Sequence, residues 1–180
     1  QAELFGTRRG EDAPAVAWAA LAPVVAAAAA DCRAARGREG ALLAREIADR
    51  LAAVERGAGR IAELAPHRLE RERDRLASNV RLLAGGIEVD AQRLAAELAI
   101  AADRLDVTEE LVRLRAHLGA ARTALASEHP VGKQLGFLAQ EMGREVNTIG
   151  SKASDAAIGH EVVLMKSELE KVREQLENLE

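Results

Sequence analysis

The sequence predicts an all-α protein in which long, antiparallel, coiled-coil-like helices form a helical bundle. Of the 180 residues, 39 are alanine, the strongest helix former. Aromatic residues make up only 2% of the chain, whereas β-strands favour aromatic and β-branched residues. Near the C-terminus, apolar residues also repeat with the steps of a heptad. Because 48% of the residues are hydrophobic, the chain can bury a core, which argues against a disordered protein.

The first half of the chain is predicted to hold three helices. Asp12 can cap the first helix, which runs to about Arg36 and which Pro23 should kink or divide. The second helix follows Glu39 and ends at Pro66.

Glycines mark weak points in this half of the chain. Gly57 and Gly59 are expected to weaken the second helix. The third helix, about His67 to Leu83, is rich in alternating charge and should stop at Gly85–Gly86.

Capping residues place the next helices. Asp90 can cap a helix that passes through Leu94 and Leu98. Asp106 and Glu109 have the spacing of a capping box, which opens a helix from Val107 to about Ala126. After a turn at Pro130, a further helix is predicted from Val131 to about Ile149.

The last helix is predicted to begin near Asp155 and to carry a heptad seam. Such a seam needs a partner helix, from this chain or from another copy of it. Its members follow one another in steps of four and three: Ile158, Val162, Met165, Leu169, Val172, Leu176 and Leu179.

Charge and composition restrict the location and the partners. The net charge of −4 excludes a uniformly basic nucleic-acid binder but not a local basic site. The single cysteine, Cys32, excludes an internal disulfide and suits a reducing compartment, so we expect a cytoplasmic protein. The stretch Ala13 to Ala30 is mainly alanine and contains Pro23, so we expect it to be too weakly apolar for a membrane span.

Two stripes of polar residues lie on the helix that follows Pro130. One stripe falls within about 40° on the helix surface and holds Lys133, Gln140, Arg144, Asn147 and Ser151. The neighbouring stripe holds Glu141, Glu145, Thr148 and Lys152. Together they could bind a phosphate and a metal ion, or they could simply form a solvated face with ion pairs within the helix. Phe137 borders them, and it could stack on a nucleobase or pack under a neighbouring helix.

A second polar line lies on the preceding helix. It consists of Asp106, Glu110, Arg113 and His117, with Glu109 beside it. Two carboxylates on consecutive turns could share a divalent cation, with His117 as a proton donor or acceptor. The alternative is that Asp106 caps the helix, that Glu110 and Arg113 form a surface pair, and that His117 is a hydrogen-bonded or exposed histidine with no role in the site.

The two segments that carry these lines resemble a known family. The stretch DVTEELVRLRAHL from Asp106, followed by GKQLGFLAQEMGREVNTIGSKASD, is similar to the C-terminal domain of the YicC/YloC family of bacterial endoribonucleases. The resemblance is strong from Asp90 to Glu180, with further landmarks at Arg38–Gly40 and Ala65–Pro66. It implies a nuclease that depends on Mn²⁺ or Mg²⁺, cuts single-stranded RNA and assembles as a homo-hexamer, with no DNA or membrane partner.

The same resemblance implies roles for individual residues. It implies a catalytic set of His117, Glu110, Glu141 and Glu145, of which the three glutamates would also hold the metal. The RNA-binding set would be Arg113, Lys133, Gln140, Arg144, Asn147, Ser151 and Lys152. The sequence departs from the family at Gly136, where an aspartate is usual, and at Gly143, where an asparagine is common.

The resemblance also implies a domain organisation. Residues 1–50 would hold the end of the N-terminal region and the first helices, residues 51–89 a connecting helical hairpin, and residues 90–180 the endoribonuclease domain. We expect the chain to be a fragment that lacks a mixed α/β N-terminal domain. The function expected is metal-dependent cleavage of single-stranded RNA within an oligomeric channel. The alternatives are a non-catalytic oligomerisation or RNA-adaptor module and a purely structural coiled coil.

Overall fold

The computed structural model describes residues 16–85, 90–127 and 129–177, and every regular element within those ranges is a helix. This confirms the all-α prediction. The predicted cap Asp12, the stop residue Gly86 and the last seam residue Leu179 lie outside these ranges. The helices are α1 (Trp18–Ala84), α2 (Ala91–Leu105), α3 (Thr108–Leu125), α4 (Gly132–Ala153) and α5 (Ala156–Glu177).

The chain divides into two compact units, residues 1–41 and residues 42–180. The described part of the first unit is the beginning of α1, where Trp18 and Val25 are exposed. One window near the start of α1 is long and apolar enough to cross a membrane, and none of it is buried. The expectation that this stretch is too weakly apolar is therefore not supported. Because signal sequences and core helices of soluble proteins meet the same criterion, it assigns no membrane role.

In the second unit, four helices bury apolar seams against one another. The heptad seam predicted for α5 is confirmed, since all of its described members are buried. A matching seam on α1 has the same steps of four and three, and it comprises Ile47, Leu51, Val54, Ala58 and Ile61. Seams of α3 and α4 complete the core, with Leu114, Leu118, Met142, Val146 and Ile149 nearly inaccessible to solvent. The partner helices that the α5 seam requires are thus provided by this chain.

Ion pairs between helices fix their directions. Between α1 and α5, the residue number rises along one helix as it falls along the other, so these helices are antiparallel. The pairs are Arg50–Glu168, Arg60–Glu161 and Arg71–Asp155, at 3.1, 2.6 and 2.7 Å. Glu55 of α1 pairs with Arg122 of α3 at 2.5 Å, and α4 contacts both α3 and α5.

Helix α1 is longer than the sequence predicted, because neither Pro23 nor Pro66 interrupts it. The predicted break at Pro66 is wrong, and the helix continues until Gly85, which adopts the left-handed conformation (φ +54°). Pro66 is exposed, so water can hydrogen-bond the backbone carbonyl that a proline leaves free. Ile61 and Arg68 are buried on either side of Pro66, and this burial favours a continuous helix.

Gly57 is a site of close packing rather than only a weak point in α1. A Cβ atom at this position would lie 2.7 Å from Cγ and 2.9 Å from Sδ of Met165, which is buried in α5. The missing side chain therefore allows α1 and α5 to approach. Gly59 has no neighbouring atom within 4 Å of such a Cβ, so its only effect on α1 is the lower helix propensity that the sequence predicts.

Aspartates cap α2 and α5, and the cap at Asp90 is the predicted one. The Asp90 carboxylate accepts hydrogen bonds from the backbone N–H groups of Gln92 and Arg93 at the start of α2. Asp155 does the same for Ala157 and Ile158 at the start of α5, at 2.9 and 3.1 Å. These caps set where α2 and α5 begin, and they leave the α4–α5 connection very short.

Candidate functional site

A group of charged side chains lies where the start of α3 meets the end of α4. Lys152 Nζ contacts Glu110 Oε1 at 2.7 Å, and Arg113 Nε donates to Glu145 Oε1 at 2.9 Å. Arg113 also pairs with Glu109 and approaches Glu110 at 3.8 Å. We call this group the ionic cluster; its members are Asp106, Glu109, Glu110, Arg113, Glu145 and Lys152.

Glu110 is the most buried member of the ionic cluster, with 3% of its surface exposed. Burial pushes the pKa of its carboxyl upward, but the hydrogen bonds from Lys152 and from its own backbone N–H, together with the charges of Lys152 and Arg113, outweigh it, so the pKa is lowered. Its other oxygen, Oε2, is buried and accepts no hydrogen bond within the described residues. Glu110 is therefore an ionised carboxylate held in the interior by two cations, and not the surface pair that the alternative interpretation proposed.

Asp106 is the C-cap of α2 and hydrogen-bonds the first residue of α3. Its carboxylate accepts hydrogen bonds from the backbone N–H and the hydroxyl of Thr108, at 2.9 and 2.6 Å, and these hydrogen bonds lower its pKa. Its backbone carbonyl accepts a hydrogen bond from Lys152 at 2.9 Å. The N-cap of α3 is Val107, one residue later than predicted, and it makes no side-chain cap hydrogen bond; Asp106 binds the first backbone N–H of α3 from the residue before it. The reciprocal half of the capping box is not formed, because Glu109 pairs with Arg113 and the Asp106 N–H donates to Asp103.

Arg68 of α1 contacts the backbone next to the ionic cluster, and the sequence interpretation missed this residue. Only 7% of its surface is exposed, and it donates to the backbone carbonyls of Leu105 and Lys152 at 3.3 and 3.0 Å. Burial lowers the pKa of its guanidinium group. Its signal in the sequence was its place on the α1 seam, seven residues after Ile61, where an apolar residue would be expected.

His117 and Glu141 lie at one level of the α3–α4 pair. The Arg113–Glu145 contact fixes the antiparallel register; His117 lies one turn further along α3, and Glu141 one turn back along α4. His117 is half-buried, and Glu141 accepts a hydrogen bond from Arg144 at 2.8 Å. From this register we infer that His117 and Glu141, each one turn from the Arg113–Glu145 contact, face the same side of the helix pair.

The exposed stripe of α4 is confirmed and borders α5. All five of its members are exposed: Lys133, Gln140, Arg144, Asn147 and Ser151. Two adjoining hollows of about 270 and 330 Å³ run between this stripe and α5. We call them together the α4–α5 groove; the sequence interpretation missed its α5 side, where Lys166 and Arg173 add cations and Glu170 and Glu177 add carboxylates.

The carboxylates predicted to bind a metal do not form a metal centre within the described part of one chain. No group of three or more His, Cys, Asp or Glu side chains there is arranged to hold a metal ion. Glu110, Glu141 and Glu145 are each engaged by a cation, namely Lys152, Arg144 and Arg113. As arranged here, these residues do not fit a metal site, and we derive no catalytic step from a metal.

Phe137 does not pack under a neighbouring helix. Its side chain lies on the outside of α4 with 60% of its surface exposed, so that interpretation is wrong for this chain.

Comparison with known protein families identifies the class of protein to which this helical chain is similar, the endoribonucleases. The description of the family model that matches residues 61–180 is the C-terminal domain of YicC-like endoribonucleases. The chain belongs to this YicC-like family, which confirms the resemblance seen in the sequence.

Two relatives show how much of the family's length this chain covers. It is 40% identical over 164 residues to a probable endoribonuclease YicC of Clostridioides difficile, a match that covers 91% of this chain and 56% of the relative. It is 37% identical over 145 residues to a probable endoribonuclease YicC of Haemophilus influenzae, covering 81% and 50%. The chain therefore spans about half the length of the curated relatives that it matches.

Proposed function

We propose that this chain forms the helical part of a metal-dependent endoribonuclease that cuts single-stranded RNA within an oligomeric channel. The observation that carries the proposal is the antiparallel pairing of α3 with α4 through Arg113–Glu145 and Lys152–Glu110, beside the exposed cationic stripe of α4. Cleavage of a phosphodiester requires a group that transfers protons, and it requires cations that bind the phosphate. The names of both relatives, probable endoribonucleases, support this chemistry.

In this proposal the α4 stripe and the α4–α5 groove hold the RNA backbone. Lys133 and Lys166 form no ion pair within the described residues, so they are available to phosphate. Arg144 can exchange its exposed pair with Glu141 for a phosphate at little cost, because such a pair is worth only a few tenths of a kcal/mol. Gln140, Asn147 and Ser151 supply hydrogen-bonding groups along the same line. Binding should weaken steeply with salt.

Proton transfer is assigned to His117. Its half-buried imidazole can accept a proton from an attacking hydroxyl or donate one to the departing oxygen. Arg113 and Lys152 of the ionic cluster would stabilise negative charge that develops on the phosphate. Glu141 and Glu145 orient the cations around it.

Dependence on Mn²⁺ or Mg²⁺ is part of the proposal and rests on the family resemblance. When bound, a divalent ion would neutralise charge on the phosphate. Glu110, Glu141 and Glu145 would have to exchange their present cations for it, or donors would have to come from a second subunit or from the remainder of the protein. We assign no step to the ion.

Assembly into a homo-oligomer, such as a hexamer in the cytoplasm, is also proposed. It is supported by apolar residues that this chain leaves uncovered: Leu82 and Leu83 at the end of α1 are exposed, and α2 has no buried residue although it is amphipathic. Cys32 is a free thiol, in keeping with a reducing compartment.

The central test measures cleavage and binding of a labelled single-stranded RNA by the full chain. We expect cleavage with Mn²⁺ that a chelator abolishes. His117→Ala and Glu141→Gln should each lower the cleavage rate by about 10²-fold or more while the affinity for RNA changes little. Glu97→Gln, an exposed change on α2, is the control and should cut normally. Normal cleavage by both site variants would overturn the assignment.

One observation favours a second candidate, a non-catalytic RNA adaptor. The carboxylates of the site are engaged by cations and form no metal centre in the described part of the chain. An adaptor would bind RNA with the same salt dependence and give no product with any divalent ion. The cleavage assay therefore separates the two functions.

A further inference from the structure

Phe137 is an exception to the apolar pattern of α4. The other large apolar side chains of this helix, such as Leu135, Met142 and Ile149, are buried in the core. Phe137 instead leaves a whole aromatic ring in contact with water, with 60% of its surface exposed. Burying an aromatic side chain is strongly favourable, so packing does not explain why this position carries one.

The neighbours of Phe137 along α4 are those of the proposed RNA-binding stripe. Lys133 lies one turn before it and Gln140 one turn after it, and Arg144 follows two turns after it. Along the helix axis, Lys133 and Arg144 are about 6 Å and about 10 Å from the ring. An aromatic side chain between cations on one face is the arrangement that binds single-stranded nucleic acid, with phosphates on the cations and bases on the ring.

We propose that Phe137 is a stacking platform for an unpaired nucleobase of an RNA strand whose phosphates lie along Lys133 and Arg144. This inference rests on the proposed function and adds a source of its specificity. A base in a duplex has both faces covered by its neighbours, whereas an unpaired base can place one face on the ring. Phe137 would thus select single-stranded segments without selecting a base, because every base has a π-face.

The surroundings of the ring favour RNA over an apolar protein partner. The positions one turn away, Lys133, Gln140 and Glu141, are polar or charged, so covering Phe137 with an apolar surface would also desolvate them. By contrast, the exposed residues Leu82 and Leu83 lie side by side in α1, as expected of a surface that another protein covers.

The experiment measures binding of a labelled single-stranded RNA to the full chain at several salt concentrations. Phe137→Leu keeps an apolar side chain but removes the ring, so affinity should fall by about tenfold at every salt concentration. The slope of log affinity against log salt should stay the same, because no phosphate contact is lost. Arg144→Gln should instead reduce that slope by about one. Phe137→Trp should bind at least as tightly as the unchanged chain.

Controls separate stacking from other effects of the change. Val112→Ala removes an apolar side chain of similar exposure (58%) on α3, and it should leave the affinity unchanged. Phe137→Leu should not change the affinity for a duplex of the same sequence. Equal single-strand affinity of Phe137→Leu and the unchanged chain would overturn the inference. An equal loss of affinity for duplex and for single strand would also overturn it. So would a loss of affinity accompanied by a lower molecular mass in light scattering, because the change would then act by dissociating the assembly.

The outcomes also distinguish this inference from the proposed function. If the unchanged chain binds RNA without cutting it and Phe137→Leu binds more weakly, the proposed catalysis fails and the stacking platform stands. If the chain cuts RNA and Phe137→Leu binds as well as before, only the stacking platform fails. If the chain binds no RNA at any salt concentration, both fail.

Discussion

Two buried charged residues, Glu110 and Arg68, organise the candidate site. Each lies in the interior because it has charged or polar partners there: Lys152 of α4 and Arg113 of its own helix for Glu110, and backbone carbonyls of α2 and α4 for Arg68. The sequence predicted Glu110 as a candidate residue but did not predict its burial. Periodicity places charged residues on the outside of a helix by default, and it cannot show which distant residues will meet them.

Replacing Arg68 tests how strongly it holds the ends of α2 and α4. Arg68→Met keeps the apolar stem but removes both hydrogen bonds to backbone carbonyls, and it should lower the free energy of unfolding by about 2 kcal/mol. Urea denaturation followed by circular dichroism measures this loss. Arg81→Met, an exposed change in the same helix, should stay within about 0.5 kcal/mol. Equal stability of the two variants would show that the buried bonds contribute nothing.

At the scale of elements, helix bounds were predicted correctly where they rested on a long periodic pattern. They were predicted wrongly where they rested on one residue, such as a proline. The α5 seam has an unbroken run of heptad steps, and α5 lies where it was predicted. Helix α1 was divided at Pro66, because a proline is a local signal that opposes helix formation. The seam on both sides of Pro66 is a longer signal, and packing across four helices outweighs one missing hydrogen bond.

Two glycines of α1 give a matched pair of variants. Gly57→Ala should lower the free energy of unfolding by about 1–2 kcal/mol, since the new methyl group would overlap Met165 and force it to move. Gly59→Ala meets no atom and should raise the free energy of unfolding by about 0.5–1 kcal/mol through helix propensity. Thermal or urea denaturation compares the two. Stabilisation by both changes would mean that α1 and α5 do not touch at Gly57.

Across the whole molecule, the ion pairs between helices shift the pKa values of their carboxyl groups in the same direction, downward. Seven described carboxyl groups have a lowered pKa, among them Glu55, Glu161 and Glu168, which pair with arginines of other helices. The sequence could predict the helical class and the polar faces of α3 and α4, because both follow from composition and period. It could not predict these pairs or the α5 side of the groove, since both depend on the register between helices.

These lowered pKa values predict that acid destabilises the fold. The unfolded chain has carboxyl pKa values of 4.5 for Glu and 3.8 for Asp, and the folded values are lower. The unfolded chain therefore binds more protons in that window, so the free energy of unfolding should fall as the pH drops below about 4.5. Glu161→Gln removes the carboxylate that Arg60 hydrogen-bonds, so it should be less stable near neutral pH and lose less stability on acidification. Urea titrations between pH 7 and pH 3 measure this difference, and a flat profile for the unchanged chain would contradict it.

The close approach of α1 to α5 at Gly57, and the ion pairs between these two helices, also limit where residues can be inserted or deleted in this family. Inserting one residue into α1 beyond Gly57 would turn every later side chain by about 100° around the helix axis. Arg60 would then point away from Glu161, and the later residues of the α1 seam would leave the buried face. An addition of seven residues to α1 and seven to α5 would preserve the facing surfaces. Evolution can therefore lengthen or shorten this bundle mainly in paired heptad steps.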